Sequence, residues 1–384
     1  GGAAAPATAA AAATPGASMS LFSPAKVNLF LRIIRRRPDG YHDLASLFHT
    51  VSFGDKLDME VLPADATRDE LECNLPGVPV DDSNLVIRAL NLFRDRSGET
   101  SRFRLRLEKS IPAQAGMGGG SSNAAAAFFG ANALCGRPAS AAQLLQWADD
   151  PVIGSDATFF LSEGTAYCTG RGEIVTPVDP LPVRSDLPVY LVKPKVGLST
   201  PKVFKALDLE ALSTVDPEEL LDTFREKGTS HSAWVNDLEK PAFVVEPGLG
   251  KLKAFLESDG GFGFEAVLMS GSGTTIYCLG DPRCGATSFA EATRGQFEIE
   301  GIWRCNLMRR SSSEDWYASP AAGAAAAAAC RTFSVLFGAL LAGRRGIFAA
   351  RRAVAGGGRQ GQPHARRGAP GGEANGAPLP EEVV

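Results

Sequence analysis

The stretch of residues 110–125, with four closely spaced glycines, constrains the fold of this chain more than any other. Before it, residues 103–108 alternate apolar side chains with arginines, a period-two pattern typical of a half-buried strand. After it, residues 124–134 are rich in alanine and free of proline, which predicts a helix with Ser121 and Ser122 at its N-cap. A strand, a glycine loop and a helix N-terminus together form an anion site, because glycines let backbone N–H groups approach a phosphate closely.

Two common phosphate-binding motifs are excluded for this loop. No Gly-Lys-Ser/Thr sequence ends it, so it is not a Walker A motif, and Ser121 stands where the third glycine of G-x-G-x-x-G belongs. A flexible Gly/Ser linker is the alternative interpretation. The loop is short and is bounded on both sides by regular patterns, which favours a phosphate loop of another kind.

Charge and composition argue against nucleic acid and against a zinc centre. The 384 residues are enough for two domains, and the formal net charge is -4. From Ser319 onward there are eight arginines and three glutamates, a tail of +5 that leaves -9 on the rest. Binding to a phosphate backbone needs clustered Lys and Arg, which an acidic body does not provide. The seven cysteines and four histidines show no C-x-x-C pair and no zinc-ligand spacing.

Composition also divides the chain into segments. Residues 1–18 are small and uncharged, and residues 319–384 are dominated by Ala, Gly, Pro and Arg, so both are predicted to be disordered. Between them we predict a first domain over residues 19–180 and a second over 186–318, with a proline-rich crossing between the two. The apolar run in the tail is shorter than the roughly 18–20 residues that a membrane span needs.

Two pairs of polar side chains near the N-terminus are candidates for a binding site. Lys26 and Asn28 fall on one face of a predicted strand that begins near Ser23, which is typical of a solvated surface or of a polar cleft. Tyr41 and His42 follow the Pro-Asp-Gly turn directly. Loop ends often hold ligands, although an aromatic and an imidazole there serve packing about as often.

Two further candidates lie later in the chain. Asp156 stands just before an apolar run, where an aspartate is more often a helix cap or turn residue than a catalyst. Residues 270–273, Ser-Gly-Ser-Gly, join two predicted apolar strands. They form either a plain hairpin turn or a loop of small residues that approaches a ligand closely.

Taken in order, five segments of the chain resemble the GHMP small-molecule kinases. The Pro-Asp-Gly-Tyr-His segment resembles the branch of that family that acts on a cytidine-diphosphate-linked methylerythritol. Residues 166–175 and 315–317 resemble the plant and algal members of this branch. The resemblance covers residues 19–317 and rests on Pro24-Ala-Lys-Val-Asn-Leu, Pro38-Asp-Gly-Tyr-His, Gly116-Met-Gly-Gly-Gly-Ser-Ser-Asn-Ala-Ala, Gly154-Ser-Asp and Ser270-Gly-Ser-Gly.

The resemblance implies an α+β fold of two domains. The N-terminal domain is expected to be like domain 2 of ribosomal protein S5, the C-terminal one to be the α+β GHMP domain, with the active site in the cleft between them. The implied reaction transfers the γ-phosphate of ATP, with Mg²⁺, to the 2-hydroxyl of the methylerythritol unit. It also implies a plastid location, or a cytoplasmic one if the chain is bacterial. The implied partners are a small-molecule substrate and neither nucleic acid nor membrane, for a monomer or homodimer.

The resemblance also implies roles for particular residues. Asp156 is expected to take the hydroxyl proton, with Lys26 beside it. Tyr41 and Phe204 are expected to flank the cytosine ring, and His42 to bond its edge. The remaining substrate contacts are expected from Asn28, Thr200, Gly271, Ser272 and Gly273. The metal ligands are unknown, with Ser122 a candidate from its place at the helix start. The ATP-binding residues are expected to be Pro112, Ala113, Gln114, Ala115, Gly116, Met117, Gly118, Gly119, Gly120, Ser121 and Ser122.

Two departures from the family pattern leave alternatives open. Ala113-Gln114 stand where the family loop usually has Met-Gly, and Ala157-Thr158 stand where Ile/Val-Pro usually follows the aspartate. The alternatives are another GHMP kinase that acts on a non-nucleotide alcohol and a non-catalytic nucleotide-binding relative. An S5-like RNA module is a third, which the acidic body disfavours.

Overall fold

The computed structural model describes residues 13–258, 261–310 and 317–318. The first sheet has six strands in the order β3-β4-β2-β5-β6, with β1 paired to β2. All neighbours are antiparallel except β3 and β4. The strands are β1 (Ser18–Arg36), β2 (His42–Val61), β3 (Glu70–Cys73), β4 (Phe103–Glu108), β5 (Thr165–Gly170) and β6 (Ile174–Pro177).

Four α-helices belong to this half, and local capping explains their bounds. The Asn84 side chain accepts a hydrogen bond from the backbone N–H of Val86 at the start of α1, and Gly98 ends that helix in the left-handed conformation. Ser140 and Gln143 form a capping box at α3. The helices are α1 (Leu85–Ser97), α2 (Gly119–Leu134), α3 (Ala141–Ala148) and α4 (Ala157–Phe160), with a 3₁₀ turn at Pro151–Ile153.

The second half contains a four-stranded antiparallel sheet in the order β10-β7-β9-β8. Its strands are β7 (Pro188–Pro194), β8 (Ala266–Met269), β9 (Ile276–Leu279) and β10 (Ile299–Asn306). The helices are α5 (Thr200–Lys205), α6 (Pro217–Lys227), α7 (Glu239–Val245), α8 (Pro247–Glu257) and α9 (Ala286–Gln296), with a 3₁₀ turn at Leu209–Ala211. None of the helices among the described residues is long and apolar enough to span a membrane.

The two sheets share a core along β1. Val27 of β1 packs in one buried cluster with Leu191 of β7. The Tyr277 hydroxyl of β9 donates to the backbone carbonyl of Asn28 at 2.9 Å. The polar side chains of β1 are therefore fixed relative to both sheets, and the α+β class is confirmed. The domain boundaries near residues 180 and 186 stay a prediction.

The predicted disorder of residues 1–18 does not extend over residues 13–18. The N–H of Gly16 donates to Val61 O, and the N–H of Val61 donates to Ala17 O, both at 2.9 Å. β1 begins at Ser18, earlier than the predicted start near Ser23, because these pairings continue the ladder with β2. Residues 1–12 and the predicted tail 319–384 lie outside the described residues.

Candidate active site

The glycine loop leads into α2 in a conformation that leaves the helix start open to a ligand. α2 begins at Gly119, earlier than the predicted Ala124, with Gly118 as its N-cap. Ser121 and Ser122 therefore lie in the first turn, and their prediction as N-cap residues is wrong. Gly118 has no side chain to cap the first-turn N–H groups, which are then available to an anion. Gly116 and Gly118 have φ angles of 74° and 70°, a region that favours glycine.

The loop is held from both sides by backbone groups. The N–H of Lys26 on β1 donates to Met117 O at 3.1 Å, and the N–H of Thr275 donates to Ala115 O at 3.2 Å. The Ser270 hydroxyl donates to Gly116 O at 2.9 Å. The turn of residues 270–273 thus lies directly against the glycine loop, so it is more than a plain hairpin connection.

Asn236 holds this turn in place and was not predicted from the sequence. Its side-chain amide donates to Met269 O at 2.7 Å and to Gly271 O at 2.9 Å. Its backbone forms a bridge with Leu31 of β1. A single buried amide therefore connects β1 to the turn, and no motif in the sequence marks it.

The two predicted catalytic side chains lie together. The Lys26 ammonium is 3.8 Å from the Asp156 carboxylate, and it donates to the Asn28 amide oxygen at 2.6 Å. It also lies 4.6 Å from the centre of the Phe48 ring. Lys26 and Asn28 share one face of β1 as predicted, and that face is a polar cleft because Lys26 is only 4% exposed.

The environment of this pair is suited to proton transfer. Burial lowers the pKa of Lys26 from its ordinary value, and the Asp156 carboxylate opposes that shift. The Asp156 side chain is 21% exposed, which leaves one side of the carboxylate accessible to a hydroxyl group. Burial also raises the pKa of the neighbouring Cys168 thiol well above its ordinary value, so this cysteine stays neutral.

Side-chain contacts fix the backbone after Asp156. Ala157 is fully buried, and the Thr158 hydroxyl donates to Glu173 O at 3.2 Å. This bond attaches α4 to the hairpin of β5 and β6. Asp156 is the N-cap residue of α4 and also accepts from the Ser155 hydroxyl at 3.2 Å. The Ala157-Thr158 departure therefore still gives Asp156 a supported position.

A cavity of about 730 Å³ adjoins this pair, and four predicted substrate residues line it: Tyr41, His42, Thr200 and Phe204. The His42 and Phe204 rings stack with centroids 5.1 Å apart. Tyr41 is 58% exposed, and the Arg171 guanidinium lies 5.4 Å from its ring centre. The Thr200 hydroxyl is 2.8 Å from the Ser272 hydroxyl, which connects the cavity to the turn of residues 270–273.

Charged residues that line the cavity were not predicted from the sequence as site residues. Arg36, Arg171, Glu173 and Lys205 line it together with Gly154 and Ser155, the two residues before Asp156. The tight Gly-Arg-Gly-Glu connection between β5 and β6 was the available signal for two of them, since functional side chains often stand on loops.

The proposed metal candidate Ser122 points away from the loop opening. Its hydroxyl donates to Pro24 O at 2.7 Å and lies 2.8 Å from the Ser23 hydroxyl, and the residue is fully buried. This placement counts against Ser122 as a metal ligand. Among the described residues, no three or more His, Cys, Asp or Glu side chains are grouped to hold a metal.

Comparison with known proteins defines the class first. The family model described as "GHMP kinases N terminal domain" matches residues 84–164, which contain the glycine loop and Asp156. A mixed α+β fold with a glycine loop, a lysine–aspartate pair and an adjoining cavity is that of a GHMP small-molecule kinase. The predicted fold class is thereby confirmed.

Individual relatives narrow the class. The chain is 47% identical over 304 residues to the chloroplastic 4-diphosphocytidyl-2-C-methyl-D-erythritol kinase of Oryza sativa, covering 79% of this chain and 73% of the relative. The Arabidopsis thaliana enzyme of that name is 44% identical over 307 residues, 80% and 78% of the two chains. A crystal structure of a 4-(cytidine 5'-diphospho)-2C-methyl-D-erythritol kinase is 32% identical, with a TM-score of 0.61 over 76% of this chain and all of that one. The chain belongs to the 4-diphosphocytidyl-2-C-methyl-D-erythritol kinase family, as the sequence motifs predict.

Proposed function

We propose that the chain transfers the γ-phosphate of ATP to the 2-hydroxyl of 4-diphosphocytidyl-2-C-methyl-D-erythritol, giving the 2-phosphate and ADP. This is a step of the non-mevalonate route to isoprenoid precursors. The observation that carries the proposal is the position of the Lys26–Asp156 pair. The backbone N–H of Lys26 contacts the glycine loop, and Gly154 and Ser155, directly before Asp156, line the aromatic cavity. Family membership supports the choice of substrate.

Asp156 is the base in this proposal. Its partly exposed carboxylate accepts the proton of the substrate hydroxyl as the oxygen attacks phosphorus. The neighbouring Lys26 ammonium adds positive charge where negative charge develops on the transferring phosphoryl group. Because Asn28 accepts a hydrogen bond from Lys26, it orients the ammonium and approaches the substrate from the same strand.

The glycine loop, residues 112–122, holds the ATP phosphates in this proposal. The N-terminus of α2 offers N–H groups and the positive end of the helix dipole. Gly116 and Gly118 let these groups approach without steric hindrance from a Cβ atom. The turn of Gly271, Ser272 and Gly273 lies opposite the loop, where the substrate and the phosphates meet.

The aromatic cavity holds the cytidine part of the substrate. Tyr41 and the stacked pair of His42 and Phe204 line the cavity, which suits a base that packs against aromatic rings. Burial and the charge of Arg36 lower the pKa of His42, so its neutral ring can bond the edge of the base. Thr200 completes the cavity next to Ser272.

We also propose that Mg²⁺ takes part. Magnesium in such sites is held by one or two carboxylates and by substrate phosphates, so it does not need a cluster of protein ligands. The absence of such a cluster among the described residues fits a metal that enters with ATP. When bound, it neutralises charge on the phosphates.

We also propose the kind of partner, the location and the oligomeric state of the protein. A small-molecule substrate, with neither nucleic acid nor membrane as partner, agrees with the acidic body and with a cavity of about 730 Å³. The chloroplastic relatives in rice and Arabidopsis support a plastid location. A monomer or a homodimer is expected, which sedimentation of the purified chain would decide.

The test is ADP release by the full chain with Mg-ATP and 4-diphosphocytidyl-2-C-methyl-D-erythritol, with homoserine and mevalonate as control alcohols. Turnover with the cytidine substrate alone is the expected result. Turnover with a control alcohol instead would replace the proposal with another GHMP kinase activity. No ADP release with any of the three alcohols, from a chain that binds ATP, would contradict the proposed function and indicate a non-catalytic relative.

A further inference from the structure

The end of β4 that leads into the glycine loop is fixed by a buried carboxylate. Asp55 of β2 is fully buried. One of its oxygens accepts hydrogen bonds from the backbone N–H groups of Ser110 at 2.7 Å and Ile111 at 2.8 Å. These are the residues at which the chain leaves the strand and enters the loop.

The other oxygen of Asp55 reaches across the loop to α2. It accepts from the Asn123 side-chain amide at 2.9 Å and forms an ion pair with the Lys109 ammonium. Lys109 also donates to the Asn123 amide oxygen at 2.9 Å. Asn123 lies just beyond the first turn of α2, so a single carboxylate connects the residues before the loop to those after it.

This arrangement restrains both ends of the loop. Both ends of the segment from Ile111 to Asn123 are attached to the same group, and that group has four donors in a dry environment where hydrogen bonds are strong. N–H groups that bind a phosphate act best when their positions are set before the ligand arrives. Loss of the carboxylate charge would remove the ion pair with Lys109 and weaken the hydrogen bonds that join the two ends of the loop.

We propose that Asp55 is a positioning residue, which holds the glycine loop in the shape that accepts the ATP phosphates. The inference rests on the proposed function, in which this loop is the phosphate site. Asp55 touches neither substrate nor cofactor and acts through the backbone of Ser110 and Ile111 and through the side chains of Lys109 and Asn123.

Asp69, at the other end of β4, provides a matched control. The Asp69 side chain is 3% exposed, pairs with Arg94 at 2.6 Å and accepts a hydrogen bond from the backbone N–H of Phe103, the first residue of β4, at 2.9 Å. Asp55 and Asp69 thus perform the same structural task at the two ends of β4. Only Asp55 is connected to the loop.

The experiment compares Asp55→Asn and Asp69→Asn in the full chain by calorimetric titration with a non-hydrolysable ATP analogue and, separately, with CDP. We expect Asp55→Asn to weaken the analogue at least about ten-fold and CDP less than about two-fold. Both substitutions are expected to lower the melting temperature. Asp69→Asn is expected to change the affinity for the analogue and the affinity for CDP by less than about two-fold each.

A purely structural role gives a different pattern. The inference is overturned if Asp55→Asn keeps its affinity for the analogue, if it weakens both ligands equally, or if Asp69→Asn weakens the analogue as much. Should Asp55→Asn not fold, Asn123→Ala keeps the ion pair and removes the connection to α2. It is expected to weaken the analogue about three-fold with CDP unchanged, and an unchanged analogue affinity overturns the inference.

Failure of the proposed function gives a separate result. A wild-type chain that binds the analogue but phosphorylates none of the three alcohols refutes the proposed reaction, while the titrations still decide on Asp55. A wild-type chain that does not bind the analogue overturns the inference itself.

Discussion

The glycine loop and the aromatic cavity are built in opposite ways. The loop is fixed by its own backbone, since Gly116, Met117 and Ala115 all accept hydrogen bonds from neighbouring elements. The cavity is lined by side chains at loop ends, and its most exposed ring, Tyr41, is 58% exposed. A phosphate needs donors at fixed positions whatever alcohol receives it, so backbone geometry suits the loop. Side chains such as Tyr41 can change without refolding the chain, so selectivity for the alcohol belongs to the cavity.

The Lys26–Asp156 pair lies where these two regions meet. The backbone N–H of Lys26 donates a hydrogen bond to the loop. The ammonium group of Lys26 lies 3.8 Å from the Asp156 carboxylate. Changes to this pair should therefore affect the chemical step and spare both binding affinities. Changes to either region should affect one ligand and spare the other.

The largest effect is expected for Asp156→Asn. The variant should fold normally and lose a factor on the order of 10² to 10⁴ in turnover, because a positioned base contributes about that much. Affinities for the ATP analogue and CDP should stay close to those of the wild type. The check is steady-state turnover beside Ser155→Ala, a neighbouring change that keeps the carboxylate. Turnover of Asp156→Asn within a few-fold of wild type would exclude Asp156 as the base.

The next effect is expected for Gly116→Ala, with Gly98→Ala as its control. Both glycines have nearly the same left-handed φ, 74° and 76°. A Cβ atom at Gly98 meets nothing, whereas one at Gly116 lies about 3.0 Å from the Gly273 carbonyl oxygen and closer still to that of Ser270. Chemical denaturation should show a loss of about 1–2 kcal/mol for Gly98→Ala from backbone strain alone. Gly116→Ala should lose more and should also raise the KM for ATP. Equal losses with an unchanged KM would show that the loop tolerates a side chain there.

Tyr41→Ala is expected to affect the other ligand. Stacking of a base on an aromatic ring is worth about 1–3 kcal/mol, so the KM for the cytidine substrate should rise by roughly 5- to 150-fold. The KM for ATP should stay nearly unchanged, and Tyr41→Phe, which keeps the ring, should resemble the wild type. Equal increases in both KM values would place Tyr41 outside the cytidine pocket.

The smallest expected effect is the contribution of buried Lys26 to the pH dependence of stability. Burial lowers the pKa of Lys26 in the folded chain below the ordinary value of 10.5. Between the two pKa values the unfolded chain binds more protons, so this residue makes the folded state relatively more stable as pH rises towards 10.5. Burial of the lysine side chain therefore costs stability, and Lys26→Met should not lower the melting temperature although it impairs turnover. Melting curves should show that the melting temperature of the wild type, relative to that of Lys26→Met, is higher at pH 9.5 than at pH 7. A wild-type melting temperature that falls relative to that of Lys26→Met at pH 9.5 would contradict the direction of the pKa shift.

Much of the fold could be predicted where local signals agree with the tertiary structure. The strand of residues 103–108 was predicted from its alternation of apolar and charged residues. The start of α2 was predicted too late, because glycines disfavour helices and only packing places Gly119 and Gly120 in one. The side chain of Ile111 fills the space beside Gly119, a contact that no local pattern shows.

The site was less predictable from residues alone. Lys26 and Asp156 are distant in sequence, and only the family resemblance brought them together before the structure did. Asp55 lies in an alternating strand, where a charged residue usually faces solvent, and its burial depends on Lys109 and Asn123 from other elements. Arg171 was overlooked because a tight turn in a hairpin is usually a surface feature.

The most direct test of the account is the identity of the product, read by proton-coupled ³¹P NMR after reaction with ATP and the cytidine substrate. Carbon 2 of the substrate carries a methyl group and no hydrogen, so a phosphate on its hydroxyl has no neighbouring C–H proton to couple with. The account predicts one new phosphate monoester signal that is a singlet, in an amount equal to the ADP formed. A new signal split by coupling to C–H protons, or ADP formed without any new monoester, would contradict it.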